Sequence, residues 1–225
     1  MEVARDIQDH QLVDRDDRAC GRIDDVLVEW DDSGARLGAM LSGGGILVDQ
    51  LGALGRLLKR MPGLEAARSH IAIEWRQIRA FEQDRVCLLP PSDRLGVRRR
   101  SREPRAADGA LPLTALLQLR VIDTLGCEMG VLDVRTDRAH PPAAPRVTGL
   151  LCSPDPKLAL LGLKRHDGGL LPRPRAARQA RFAPWTAIAS IDSEAIHLDS
   201  PFGELPRLVD MPDEAAPPPD SQEGQ

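Results

Sequence analysis

Apolar and polar positions alternate over short runs along most of this chain, the pattern of half-buried strands rather than of long helices. Leu12-Val13 opens a short strand, Asp14 to Gly21 is a polar turn, and Ile23, Val26 and Val28 mark a second strand. Asp31-Asp32-Ser33-Gly34 is a strong turn signal, after which Leu37 to Leu41 resumes a strand. Further on, Ile71 to Trp75 predicts a strand, Arg76 to Phe81 a short turn and Arg85 to Leu89 a final strand. Between these groups Leu51, Leu54, Leu57 and Leu58 fall at helical spacing. They predict a short amphipathic helix, broken at Met61-Pro62-Gly63.

The same plan recurs 110 positions later. Trp75, Ile78, Phe81, Val86 and Leu88 correspond to Trp185, Ile188, Ile191, Ile196 and Leu198, and the acidic pair Asp84 and Glu194 keeps that register. Val121-Ile122-Asp123 matches Leu12-Val13-Asp14 at an offset of 109, and Asp133-Val134 matches Asp25-Val26 at 108. Val147 to Leu151 matches Leu37 to Leu41 at 110. Fixed-period self-similarity of this kind means that one module is used twice. In the second copy Phe182 to Trp185, Ile188 to Ile191 and Ala195 to Asp199 retrace the closing strands. Leu163 to Ala180 contains Pro172 and Pro174, which disfavour a helix and predict a loop.

Composition refines this picture. Hydrophobic residues make up 42% of the 225, aromatics only 3%, with no Tyr, so the core must be aliphatic. The net charge of -4 argues against bulk attraction to nucleic acid but hides local asymmetry. Residues 91–110 read as a basic linker, with Arg94, Arg98, Arg99, Arg100, Arg102 and Arg105 set against Asp93, Glu103 and Asp108. Residues 206–225 form an acidic, proline-rich tail that is expected to be disordered. The N-terminus lacks a basic region followed by an apolar one, and no stretch reaches the ~18 apolar residues of a membrane span. The expected location is the cytoplasm, with peripheral attachment to a membrane complex as a variant.

No motif selects an enzyme. Cys20, Cys87, Cys127 and Cys152 are scattered, with no C-x-x-C and no His at zinc spacing. The acids Asp14, Asp16, Asp17, Asp24 and Asp25 lack the alternation and distal Glu of a calcium loop and read as a solvated turn. Asp25 and Asp133, at equivalent strand positions, read as structural carboxylates. Gly43-Gly44-Gly45 lacks the Lys and hydroxyl of a phosphate loop. His10, His70, His140, His166 and His197 share no spacing with a nucleophile. The expectation is therefore no catalytic residue, no cofactor and no metal. Trp75 and Trp185 read as core anchors. Trp30, with no aromatic at its place in the second copy, is the candidate for an exposed contact. Arg98, Arg99 and Arg100 are candidates for phosphate contacts, although no aromatics are interleaved to stack on bases.

These phrases resemble the PRC-barrel family. The residues that carry the resemblance are the run from Asp14 through Gly21 to Asp25-Val26, Leu37 to Leu41 and Ile73-x-Trp75-x-x-Ile78. In the second copy they are residues 121–123, 132–134 and 147–151 and the phrase from Ala183 to Ile188; Glu74 stands where the family prefers the proline found at Pro184. The resemblance implies a mainly β fold. It would comprise two small PRC-type β-barrels in tandem, residues 9–90 and 111–205, related by a pseudo-two-fold axis, with the short helix inserted in the first. It also implies a non-enzymatic docking or scaffold role on a protein partner, within a membrane-associated complex or through self-association. Two alternatives are a ribosome- or RNA-associated assembly factor that uses the Arg-rich linker, and a regulatory partner of a membrane transporter.

Overall fold

A computed structural model gives the structure of residues 2–3, 7–42, 71–82, 85–90, 106–137, 141–156 and 178–211. The fold is mainly β, as the alternating pattern predicts. In chain order the strands are β1 (Gln11–Val13), β2 (Ala19–Arg22), β3 (Asp25–Asp31), β4 (Gly34–Ser42), β5 (Ile71–Glu74), β6 (Ile78–Phe81) and β7 (Arg85–Leu88). There follow β8 (Ala110–Pro112), β9 (Arg120–Ile122), β10 (Glu128–Thr136), β11 (Arg146–Ser153), β12 (Arg181–Pro184), β13 (Ile188–Ile191) and β14 (Ala195–Leu198). Ten strands form a sheet curled into a half-barrel, in the order β13-β14-β9-β10-β11-β4-β3-β8, with β12 beside β11 and β5 beside β4. A separate four-stranded sheet has the order β2-β1-β7-β6.

Strand pairings correspond across the two halves of the chain. β1 runs parallel to β7 with Leu12 opposite Val86, and β9 runs parallel to β14 with Val121 opposite Ile196. The β6–β7 ladder slips between Ile78 and Ala80, and the β13–β14 ladder slips between Ile188 and Ser190. Ala39 faces Glu74 where Gly149 faces Pro184. The halves differ at one point. The second has the continuous strand β10; the first breaks at Ile23-Asp24, where the Ile23 N–H turns to the His10 carbonyl and the Asp24 N–H to that of Leu41. That break sends β2 into the small sheet and β3 into the large one.

The stretch from Arg76 to Phe81 departs from the predicted turn. Trp75–Gln77 is a 3-10 turn, and Ile78–Phe81 is a strand held by β7. The Gln77 side chain accepts from the Glu74 N–H at 2.9 Å; Pro184, at the same place before the Trp185–Ala187 turn, has no N–H to satisfy. The predicted helix at Leu51–Leu58, the Gly43–Gly45 turn and most of the Leu163–Ala180 loop lie outside the described residues.

The core is aliphatic and continuous across both halves, with Leu12, Ile23, Met40, Ile73, Leu88, Leu113 and Leu150 fully buried. Burial of this order, ~25 cal/mol per Å² of apolar surface, is the main force holding the halves together. An exchange of leading segments adds to it. Ala106–Asp108, within the span read as linker, forms a 3-10 turn. β8 then adds to β3 with Leu27 opposite Pro112, and the helical turn Leu113–Leu116 buries Leu113 and Leu116. In the opposite sense, Glu2 bridges to Arg135 on β10, and Val3 and Ile7 are buried. The lead into each half packs on the other half.

Candidate interaction groove

The two halves meet where β4 pairs with β11, Arg36 opposite Arg146 and Ala35 opposite Val147. The Leu37 N–H donates to the Pro145 carbonyl at 2.9 Å. Arg36 and Arg146 lie 110 positions apart, so the pairing is symmetric about them. Like charges directly opposite on a sheet repel. Here each has an acid on its outer side: Glu29 is the ladder partner of Arg36 across β3–β4 and forms an ion pair with it at 3.5 Å. Asp137 accepts the Arg146 backbone N–H on Oδ1 at 2.8 Å.

An open groove of about 870 Å³ runs along this seam. Trp30, on β3, and Trp185, in the 3-10 turn after β12, meet in it with ring centroids 6.3 Å apart and planes inclined by 51°. Both are partly buried, and each comes from a different half. The wall beside Trp30 is the segment ahead of β8. The Trp30 N–H donates to the Gly109 carbonyl at 2.8 Å, and Gly109 holds a left-handed φ of 65°. A Cβ there would come within 2.5 Å of the Trp30 carbonyl oxygen, so glycine is required by both conformation and space. Arg36 and Arg146 line the groove on one side, Glu29, Asp31 and Asp108 on another, and Thr148 and Thr186 at its edge. The hydroxyl and N–H of Ser33 hold the Asp31 carboxyl below its usual range, helped by Arg36.

Tilted aromatic faces, charges of both signs and an open floor suit an extended polypeptide better than an enclosed small molecule. The aromatic pair offers broad apolar area with a polar edge, the composition enriched where proteins bind one another.

The candidate residues are placed as follows. Trp30 stands in the groove, and its aromatic partner, absent at the corresponding repeat position, is supplied in space by Trp185. Trp75 is a core residue, 3% exposed and packed on Phe81 at 5.6 Å. Trp185, expected in the core, is half-buried and lines the groove. Arg98, Arg99 and Arg100 lie outside the described residues. Asp14 and Asp123 close equivalent turns: Asp14 accepts from the N–H groups of Asp16 and Arg18, and Asp123 from those of Leu125 and Cys127. Burial pushes the Asp123 carboxyl up, but these bonds and a third from the Phe202 N–H together hold it below its ordinary value. Arg36 and Arg146 had no motif to single them out, although identical residues at the 110 offset on exposed strand positions were a usable signal. No helix among the described residues is long and apolar enough to cross a membrane. No family model matches this chain, and no curated protein matches it.

Proposed function

We propose that the chain is a tandem PRC-barrel-type protein, two small barrels packed about a pseudo-two-fold axis, that acts as a non-enzymatic scaffold. It docks a protein partner in the seam groove. The observation that carries this reading is the Trp30–Trp185 pair, contributed by both halves and left partly exposed in an open groove. The corresponding strand registers support the duplication. A docking surface built across the seam requires both halves together, which gives the duplication a purpose beyond added core.

The test is affinity purification from native lysate with the wild type and Trp30→Ala, at low and moderate salt, after circular dichroism shows that the variant folds. A stoichiometric protein partner that survives moderate salt and is lost with Trp30→Ala is the expected result. Equal recovery by the variant overturns the groove as the docking surface. Ribosomal proteins or RNA recovered only at low salt, and lost when Arg98, Arg99 and Arg100 become Ala, would replace scaffolding with RNA association.

A further inference from the structure

We infer that the seam groove binds an extended segment whose acidic residues precede a proline run, and that the segment Met211–Asp220 of this same chain occupies it, competing with the docked partner. The inference rests on the groove being the docking surface.

The place where the segment starts is the first argument. The Arg135 guanidinium touches the Met211 sulfur at 3.5 Å, and the Arg135 carbonyl accepts from the Thr148 hydroxyl at 3.1 Å. Thr148 lines the groove. The chain therefore leaves Met211 within one strand of the groove's basic end.

The order of residues is the second argument. After Met211 come Pro212, Asp213, Glu214, Ala215, Ala216, Pro217, Pro218, Pro219 and Asp220. From Arg135 on β10, the next strand presents Arg146, the one after it Arg36, and the fourth Trp30. Strands lie ~4.8 Å apart, so Trp30 is roughly 14 Å from Arg135. A polyproline II chain advances ~3.1 Å per residue, so the six residues from Met211 to Pro217 are enough to span about 19 Å, past the arginines to the tryptophans. Arg146 has no ion-pair partner among the described residues, and its ladder neighbour is another arginine. A carboxylate beside it relieves that repulsion. Prolines on tilted aromatic faces are a general mode of recognition, because the ligand loses little entropy on binding.

The chain has three Trp and no Tyr, so acrylamide quenching of tryptophan emission reads the groove directly against buried Trp75. The full chain is compared with a variant carrying Pro217→Gly, Pro218→Gly and Pro219→Gly, and with one carrying Asp213→Lys and Glu214→Lys. Both are expected to red-shift the emission and raise quenching. A peptide of residues 211–221, added to the proline variant, reverses the shift. Arg146→Glu weakens that peptide about tenfold, the worth of one charge-assisted hydrogen bond, and lysines at 213 and 214 restore protection in the Arg146→Glu protein. Unchanged quenching in both tail variants overturns the proposal. So does protection that rises with protein concentration, which places a second copy's tail in the groove. Protection lost on changing Arg98, Arg99 and Arg100 to Ala overturns it as well, by placing the tail on the linker. Unchanged quenching while Trp30→Ala still loses the partner sinks the tail contact alone. A partner retained by Trp30→Ala sinks the docking reading and leaves the quenching result standing.

Discussion

Changing Asp25 to Ala is expected to unfasten the second half's leading segment from the first half. The Asp25 side chain is 1% exposed. Its Oδ1 accepts from the Val26 N–H at 2.8 Å and the Thr114 N–H at 3.2 Å, and its Oδ2 from the Thr114 hydroxyl in a short bond. The Leu113 N–H adds a further bond. The carboxylate thus caps the helical turn Leu113–Leu116 and fixes it to β3. Alanine leaves these donors without an acceptor at a site closed to water. Each buried unsatisfied donor costs about 1–3 kcal/mol, and the carboxylate's own desolvation is recovered, so the net loss is about 3 kcal/mol. For a chain of this size that lowers Tm by roughly 6–12 °C. The assay is urea unfolding of wild type, Asp25→Ala, Thr114→Val and the double variant. A coupling energy above about 1 kcal/mol is expected between the two sites. A loss under about 0.5 kcal/mol for Asp25→Ala, or strict additivity, would refute the capping argument.

The same site has a pH signature. Burial raises the Asp25 carboxyl despite its hydrogen bonds from Thr114, Val26 and Leu113. The folded state therefore holds this proton more tightly than the unfolded one. The contribution is fully present below the ordinary value of about 3.9 and is lost as pH rises through the raised folded value. Wild type measured against Asp25→Asn should be relatively most stable in acid and lose ground as pH climbs. The opposite slope would mean that the hydrogen bonds outweigh desolvation.

Other outcomes follow from single sites. At Gly149 a Cβ would collide with the Ala183 carbonyl oxygen and lie 2.7 Å from the Phe182 ring; Gly149→Ala should cost about 3 kcal/mol by forcing β12 from β11, read by urea unfolding. Asp192 is held low by the N–H groups of Glu194 and Ala195 and by His197 at 3.0 Å. Its sign is opposite to that of Asp25: the contribution is present above the ordinary carboxylate value and disappears as pH falls through the lowered folded value, so the difference in stability between wild type and Asp192→Asn should shrink with acidification. Burial pushes the Cys152 thiol up to about 12, whereas Cys127 is exposed; a disulfide reagent at neutral pH should label Cys127 quickly and Cys152 only after unfolding.

The strands were legible because a period of two survives in short segments, and the halves because Trp75 and Trp185 keep their register. The leading segments were not. Leu113-Thr114-Ala115-Leu116 has no strand alternation and is too short for a helical stripe, and its anchor Asp25 lies 89 residues away. Sequence neighbours carry no trace of such a contact, so residues 106–116 read as linker and the start of a second unit when they in fact cover the first. The groove was half legible for a related reason. Repeat logic gives Trp75 and Trp185 one role, but each tryptophan's burial depends on what stands beside it. Phe81 covers Trp75, whereas the matching Ile191 is smaller and no ring takes its place. Trp185 is left to meet Trp30, whose own repeat position holds no aromatic. The sites where the two halves of the sequence differ are thus the ones that build its exposed aromatic surface. Filling position 191 with Phe is the change that should test this, by drawing Trp185 inward and separating it from Trp30.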